Sequence, residues 1–163
     1  MKIINSTKTA SALLGVATLL LSAGAAHAEN IDSTATFSGV ILDTCAVTIP
    51  TAGALGASGD ATRLASDEAG GQSAQAQVVT NNPRSTLQVI APTGFLVAPN
   101  GSDTNTTFEA SHTIDGAVVE AGLTSLLSVG VTQATIDASA TKSEGAYEGG
   151  AYSMVVTVRC ITQ

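Results

Sequence analysis

The sequence predicts a single all-β domain, an antiparallel β-sandwich whose first and last strands are joined by a disulfide. Short runs of alternating apolar and polar residues, separated by turn residues, recur along the chain. The only two cysteines, Cys45 and Cys160, lie in the first and the last of these runs. No segment shows the apolar periodicity of an amphipathic helix of three turns. Regular spacing of short strands is typical of a sandwich or a barrel.

The N-terminal residues 1–28 are typical of a secretory signal peptide. Lys2 and Lys8 are followed by an apolar run, and Ala26-His27-Ala28 places small residues at the cleavage positions. The apolar run is too short for a membrane span, which needs about 20 residues. We therefore expect one domain of residues 29–163, exported to the periplasm, the cell surface or a fimbrium, and not inserted into a membrane after cleavage.

The charge balance excludes some partners of this exported part. Of the six basic residues, Lys2 and Lys8 belong to the signal, so four remain against thirteen acidic residues. Nucleic acids and anionic lipid surfaces both require a basic face. We expect neither as a partner.

The two cysteine-containing runs predict a structural disulfide. In the first run, Phe37–Ile49, Cys45 shares one face with the apolar residues, and in the last run, Tyr152–Ile161, Cys160 does the same. A bridge between two such faces lies inside the core, and the wide spacing favours a structural bond over a redox-active pair. Closing so long a loop stabilises the fold by roughly 4–5 kcal/mol in the chain-entropy model.

Seven further candidate strands lie between these runs. They are 76–80, 86–91, 94–98, 106–114, 116–120, 123–131 and 134–138. Asp115-Gly116, between two apolar strands, is the strongest hairpin signal. Residues 51–76 are rich in Ala, Gly and Ser and predict a mobile surface loop or an irregular edge strand, with one short helical turn at 61–69.

Catalytic and metal-binding patterns are weak. His112 is the only histidine after residue 28, but its neighbour Ser111 points to the opposite face of a strand, so we expect His112 at a half-exposed polar position without a catalytic role. The stretch Asp103-Thr104-Asn105-Thr106-Thr107, with Glu109, is rich in side-chain oxygens but lacks the turn glycine of a calcium loop. Asp67 and Glu68 are adjacent in a flexible stretch, where they cannot hold a catalytic separation. We expect neither an enzyme, nor a metal site, nor a cofactor.

Both ends of the chain resemble the chaperone–usher family of fimbrial subunits. The first motif is Phe37-x-Gly39-x-Ile41-x-x-x-Cys45-x-Val47, shortly after the predicted cleavage site. The second is the closing run Gly145-x-Tyr147-x-Gly149-Gly150-x-Tyr152-x-Met154-x-Val156-x-Val158, which is similar to the last strand of secreted pilin-like sandwiches.

The resemblance implies an incomplete immunoglobulin-like sandwich of Greek-key type that lacks its final strand. A periplasmic chaperone, and then the N-terminal extension of the next subunit, would fill the gap by strand addition. In this chain the extension is Glu29–Thr36, and the donor residues are Ile31, Ser33, Ala35 and Phe37. Common fimbrial subunits place the second cysteine in the next strand, whereas here it is Cys160. The chain is therefore either a divergent pilin or a complete sandwich that shares the architecture.

The leading functional hypothesis is an exported structural subunit of a fimbria, pilus or surface filament that contributes to adhesion. Its expected partners are other pilin subunits and a periplasmic chaperone and usher. The alternative is a self-contained monomeric binding module of the periplasm or the cell exterior, which recognises a ligand through loops such as 99–107.

Overall fold

The computed structural model describes residues 32–162, which form ten β-strands and no helix. The strands β1 to β10 are Cys45–Thr51, Gly56–Ala57, Arg63–Ala65, Ala74–Thr80, Thr86–Ile90, Thr106–Ile114, Ala117–Glu120, Thr124–Leu126, Gly130–Lys142 and Thr157–Ile161. The chain divides into two units, 1–39 and 40–163, and all ten strands belong to the second. The predicted signal peptide lies outside the described residues. Between residues 32 and 162 no helix is long and apolar enough to cross a membrane.

A seven-stranded antiparallel sheet is built around β9. This strand has 13 residues, which is enough for two partners along one edge. Its first half pairs with β4, its second half pairs with β3, and β6 pairs along the opposite edge. The sheet is completed by β1 outside β4, β2 outside β3 and β7 outside β6.

A second sheet has three antiparallel strands in the order β10-β5-β8. Alternate residues of the two sheets face each other, as period-two strands require. Ala76 and Val78 of β4, together with Leu87 and Val89 of β5, are fully buried in the main core. Tyr147 belongs to a separate, smaller apolar cluster. The molecule is thus a sandwich of two antiparallel sheets around an aliphatic core.

The predicted disulfide between the first and last strands is confirmed. Cys45 of β1 is bonded to Cys160 of β10, with 6.1 Å between their Cα atoms. β1 is the edge strand of the large sheet and β10 is an edge strand of the small one. The bond therefore joins the two layers at one margin of the sandwich, where both cysteines are half-buried against the core.

The local patterns predict the β6–β7 hairpin best. β6 has the predicted bounds, Thr106–Ile114, and the turn is formed by Asp115 and Gly116. Both turn residues have positive φ angles, 51° and 81°. A type I′ turn requires positive φ at both central residues, which is why an Asp-Gly pair is favoured here.

The predicted first strand is too long. β1 begins at Cys45, and residues 37–44 form no strand, because the partner strand β4 ends at Thr80, opposite Cys45. The side chain of Asn81 takes over at this point: its Oδ1 accepts a hydrogen bond from the backbone N–H of Thr44, and its Nδ2 donates one to the carbonyl of Leu42. The alternation at residues 37–44 predicted a strand, but no described strand pairs with these residues.

Three other predicted strands differ from the structure. The last run, predicted as a strand from Tyr152 to Ile161, is a continuous strand only over Thr157–Ile161. Residues 94–98 make only an isolated bridge between Val97 and Ser153. The predicted strand 123–131 is interrupted, since β8 covers only Thr124–Leu126 and Gly130 already begins β9. Residues 134–138 are the middle of that longer strand.

The Ala/Gly/Ser-rich segment 51–76 is more ordered than its composition predicts. It contains the short strands β2 and β3, and the helical turn predicted at 61–69 is wrong because Arg63–Ala65 pairs with β9. Gly56 and Gly71 allow the close packing of this segment: a Cβ atom on either would lie 2.5 Å from a backbone oxygen. Long-range pairing, together with two residues that lack a side chain, orders this segment.

Candidate functional site

An apolar groove lies between the edge of the large sheet and the C-terminal run of the chain. Its volume is about 520 Å³. One wall comes from the end of β1 and the following residues 52–55, with Ala74 and Ile136 behind them. The opposite wall is residues 152–156 and Val158. The described residues that line the groove include no charged side chain, so its chemistry suits an uncharged occupant.

Apolar side chains are left accessible on both walls. Ile49 on the first wall is 47% exposed, and Val155 on the second is 58% exposed. Large aliphatic side chains gain about 25 cal/mol for each Å² removed from water. An occupant that covers these residues is therefore favoured by the hydrophobic effect.

Part of the backbone along the groove is unpaired, although Ser153 forms a bridge with Val97. β1 pairs only with β4, and β10 pairs only with β5, so each has a free edge within the described part of the chain. Met154 and Val155, just before β10, make no backbone hydrogen bond to any described residue. Free N–H and C=O groups at a sheet edge are a template for an added strand.

The two ends of the groove are different. Val158 and Ile49 line it, whereas Cys45, Val47 and Cys160, which lie just beyond them, pack against the main core. At the other end Tyr152 packs edge-on against Phe95, with 5.2 Å between the ring centroids. The groove thus runs from the disulfide at one end to an aromatic cluster at the other.

The predicted donor residues are found in an exposed segment. Ser33, Ala35 and Phe37 are exposed and belong to no strand, while Ile31 lies outside the described residues. The side chain of Phe37 is 94% exposed. Exposure of so large an aromatic side chain is unfavourable in water, so this segment has a strong tendency to bind an apolar surface.

The exposed apolar residues continue past the predicted extension. Val40 and Ile41 are each 87% exposed. The chain becomes anchored only at Leu42, whose carbonyl accepts a hydrogen bond from Asn81, and at Asp43, whose carboxylate accepts one from the side-chain amide of Asn82. The part preceding that anchor, Ser33-Thr-Ala-Thr-Phe-Ser-Gly-Val-Ile41, contains no charged residue.

His112 lies in the core, so the prediction of a half-exposed position is wrong. Its side chain is fully buried on the inner face of β6, and its Nε2 is 2.7 Å from the Oγ of Ser125 in the opposite sheet. Its Nδ1 has no hydrogen-bond partner in the described part of the chain. Burial lowers the pKa of the imidazole, since the charged form loses its hydration. A catalytic histidine needs an acceptor at Nδ1 that orients the ring, and His112 has none among the described residues. The contact between His112 and Ser125 instead joins the two sheets.

The oxygen-rich loop at residues 100–109 is held by a lysine of its own chain. The ammonium of Lys142 donates hydrogen bonds to the carbonyls of Ser102 and Thr104, at 3.1 and 2.8 Å. It also lies 5.2 Å from the centroid of the Tyr147 ring. Two carbonyls that could face a cation therefore bind an ammonium group. The described residues include no cluster of three or more His, Cys, Asp or Glu suited to a metal ion.

The adjacent carboxylates Asp67 and Glu68 hold Arg63. Each lies 2.8 Å from a different guanidinium nitrogen, and the hydrogen bond that Arg63 donates to Glu68, followed by the one it donates to Asp67, raises the pKa of the arginine. The two carboxylates fasten the loop after β3 to that strand. Their arrangement is that of a structural clamp.

The groove residues were missed at the level of sequence, although one signal was present. In Tyr152-Ser-Met-Val-Val-Thr-Val158, strict alternation would place a polar residue at 155, and the chain has Val155 there. Three consecutive apolar residues, Met154 to Val156, indicate a segment with both faces against apolar surroundings. In this structure only one of those faces is covered.

Neither a search of protein-family models nor one of the curated proteins finds a match to this sequence.

Proposed function

We propose that this chain is an exported structural subunit of a bacterial fimbria, pilus or surface filament that assembles by strand addition and contributes to adhesion. The observation that carries the proposal is the apolar groove between two unpaired strand edges in a chain that also has an exposed, uncharged apolar segment. Other copies of the subunit are the partners in the filament. A periplasmic chaperone would occupy the groove during export, until the next subunit replaces it at the usher.

The occupant of the groove is the segment Ser33–Ile41 of a second copy. Thirteen acidic residues are spread over the chain, yet this segment has none, which matches the uncharged lining of the groove. In an extended conformation Ala35, Phe37 and Ile41 lie on one face. The family resemblance placed the donor in the extension Glu29–Thr36. The segment Ser33–Ile41 lies closer to β1 along the chain.

Strand addition accounts for the affinity in two parts. Backbone hydrogen bonds to a free sheet edge hold the added strand, and alternate side chains enter the groove. Phe37 is the principal anchor, since burial of an aromatic ring removes about 150–250 Å² from water. The immunoglobulin-like, Greek-key description belongs to the same proposal, in which the sandwich lacks one strand until a neighbouring subunit supplies it.

Assembly of the secreted chain tests the proposal. The substitution Val155→Arg places a charge in the groove, and Val131→Arg is the matched control, because Val131 is 61% exposed and is not among the residues that line the groove. We expect multimers that survive detergent until heated for the original chain and for Val131→Arg. Val155→Arg should reduce them at least tenfold, which corresponds to about 1.4 kcal/mol.

The opposite results favour the self-contained binding module. If the secreted chain is a stable monomer at all concentrations, and deletion of residues 33–41 leaves its melting temperature unchanged, strand exchange is excluded. Equal multimer yields from Val155→Arg and Val131→Arg would show that assembly does not use the groove.

A further inference from the structure

We propose that the Cys45–Cys160 bridge is a stop that limits how far a strand can enter the groove, and so sets the length and register of the inserted segment. The inference rests on the proposed function, because it concerns a strand that occupies this groove. The bridge joins the two strands whose free edges border the groove, and it lies at one end of it.

At the bridge, β1 and β10 lie too close together to admit a third strand between them. The Cα atoms of Cys45 and Cys160 are 6.1 Å apart. A strand placed between two others needs about 4.8 Å on each side, or roughly 9–10 Å in total. No strand fits between β1 and β10 at this level, and a covalent bond prevents the two from separating.

The disulfide end of the groove is filled by side chains. The side chains of Cys45, Val47 and Cys160 pack against the main core and, among the described residues, are not part of the groove lining, which on this side ends at Ile49 and Val158. The groove itself is lined from Val158 to Tyr152. Its covalently closed end is therefore also its packed end.

The length of the groove limits how many residues of a strand it can hold. The lining segment from Tyr152 to Val158 offers about seven residue levels, roughly 23 Å at ~3.3 Å per residue. The uncharged segment Ser33–Ile41 is two residues longer than that. An inserted copy therefore fills the groove with its central part, and the residues beyond the stop stay outside.

A ladder of peptides from the chain itself tests the stop. The peptides are Ala35–Gly39, Thr34–Val40, Ser33–Ile41 and Asp32–Leu42, and their dissociation constants are measured on the full secreted chain by fluorescence anisotropy. We expect tighter binding up to Thr34–Val40 and a change of less than about twofold for the two longer peptides, because residues past the stop add no strand pairing.

The double variant Cys45→Ser/Cys160→Ser supplies the comparison. Without the bridge the strands can separate, and each longer peptide should bind about two- to fivefold more tightly than the one before, as expected for an added cross-strand pair. Ratios between peptides are compared within one protein, so a change in overall stability cancels. If this variant fails to fold, Cys45→Ala/Cys160→Val, which keeps apolar side chains at the two half-buried positions, supplies the same comparison.

The outcomes separate the two proposals. Continued tightening up to Asp32–Leu42 on the oxidised chain overturns the stop and leaves strand addition intact. The same plateau with and without the bridge also overturns it, because the length limit then has another origin. If no peptide binds either protein, the proposed function fails and this inference fails with it.

Discussion

The buried imidazole of His112 should make the stability of the sandwich fall as the pH drops below 6.5. The ring is fully buried, and its Nδ1 has no hydrogen-bond partner in the described part of the chain. Its neighbours across the sheet are Ile136 and Val119, and Nε2 contacts Ser125. Within the described part of the chain, burial is the cause that shifts the pKa of the ring. Protonation therefore places an unpaired charge in the core.

The pH dependence of the free energy of unfolding follows from the difference in the pKa of His112 between the folded and unfolded chains. Burial lowers the pKa of the folded-state imidazole below 6.5, its ordinary value. At a pH between these two values the unfolded chain binds a proton that the folded chain does not, so the free energy of unfolding decreases as the pH falls. The loss is complete below the folded-state pKa. One proton limits the slope to about 1.4 kcal/mol per pH unit.

The matched variant is His112→Leu/Ser125→Ala, which removes the titrating group and the hydroxyl that would otherwise lose its partner. The free energy of unfolding is measured by urea denaturation of both proteins from pH 7.5 to pH 4.5. His112 is the only histidine after residue 28, so the difference between the two slopes from pH 6.5 downwards isolates this ring. Parallel curves over that range would refute both the burial and its effect on the pKa.

Two further predictions concern packing, and both are checked by urea or thermal denaturation of the purified variants. Leu87→Ala, at a fully buried core position, should lower the free energy of unfolding by about 2–5 kcal/mol, whereas Leu126→Ala, at a position 69% exposed, should change it by less than about 0.5 kcal/mol; equal effects would contradict the assignment of the core. Gly56→Ala should lower the melting temperature, since its Cβ would lie 2.5 Å from the carbonyl oxygen of Ala69, and Gly59→Ala, with no atom within 4 Å, should leave it nearly unchanged; a harmless Gly56→Ala would show that the loop packs less closely against β2.

Much of the fold could be predicted because its signals are local. The β6–β7 hairpin combines period-two alternation with an Asp-Gly turn, and both are encoded within a few residues. The disulfide could be predicted because each cysteine shares the apolar face of its own run. β3 could not be predicted, since Arg63–Ala65 has no alternation and becomes a strand only through pairing with β9, far along the chain.

The candidate site depends on contacts that no local pattern contains. The alternating run at residues 37–44 has the pattern of a strand, yet β4 ends opposite Cys45, so the run has no partner. The same pattern of residues is a strand or an exposed segment according to whether another strand lies beside it. The exposure of Phe37 follows from that missing partner.

The sequence by itself determined an all-β domain and a structural bridge between its first and last strands, and it fixes an excess of acidic over basic residues. The tertiary structure decided which strand edges remain free, where an apolar groove opens between β1 and the C-terminal run, and that His112 is buried. The physical reason is the distance along the chain over which each feature is encoded. Alternation reports which face of a strand is apolar, whereas edge pairing and burial depend on segments brought together from distant parts of the chain.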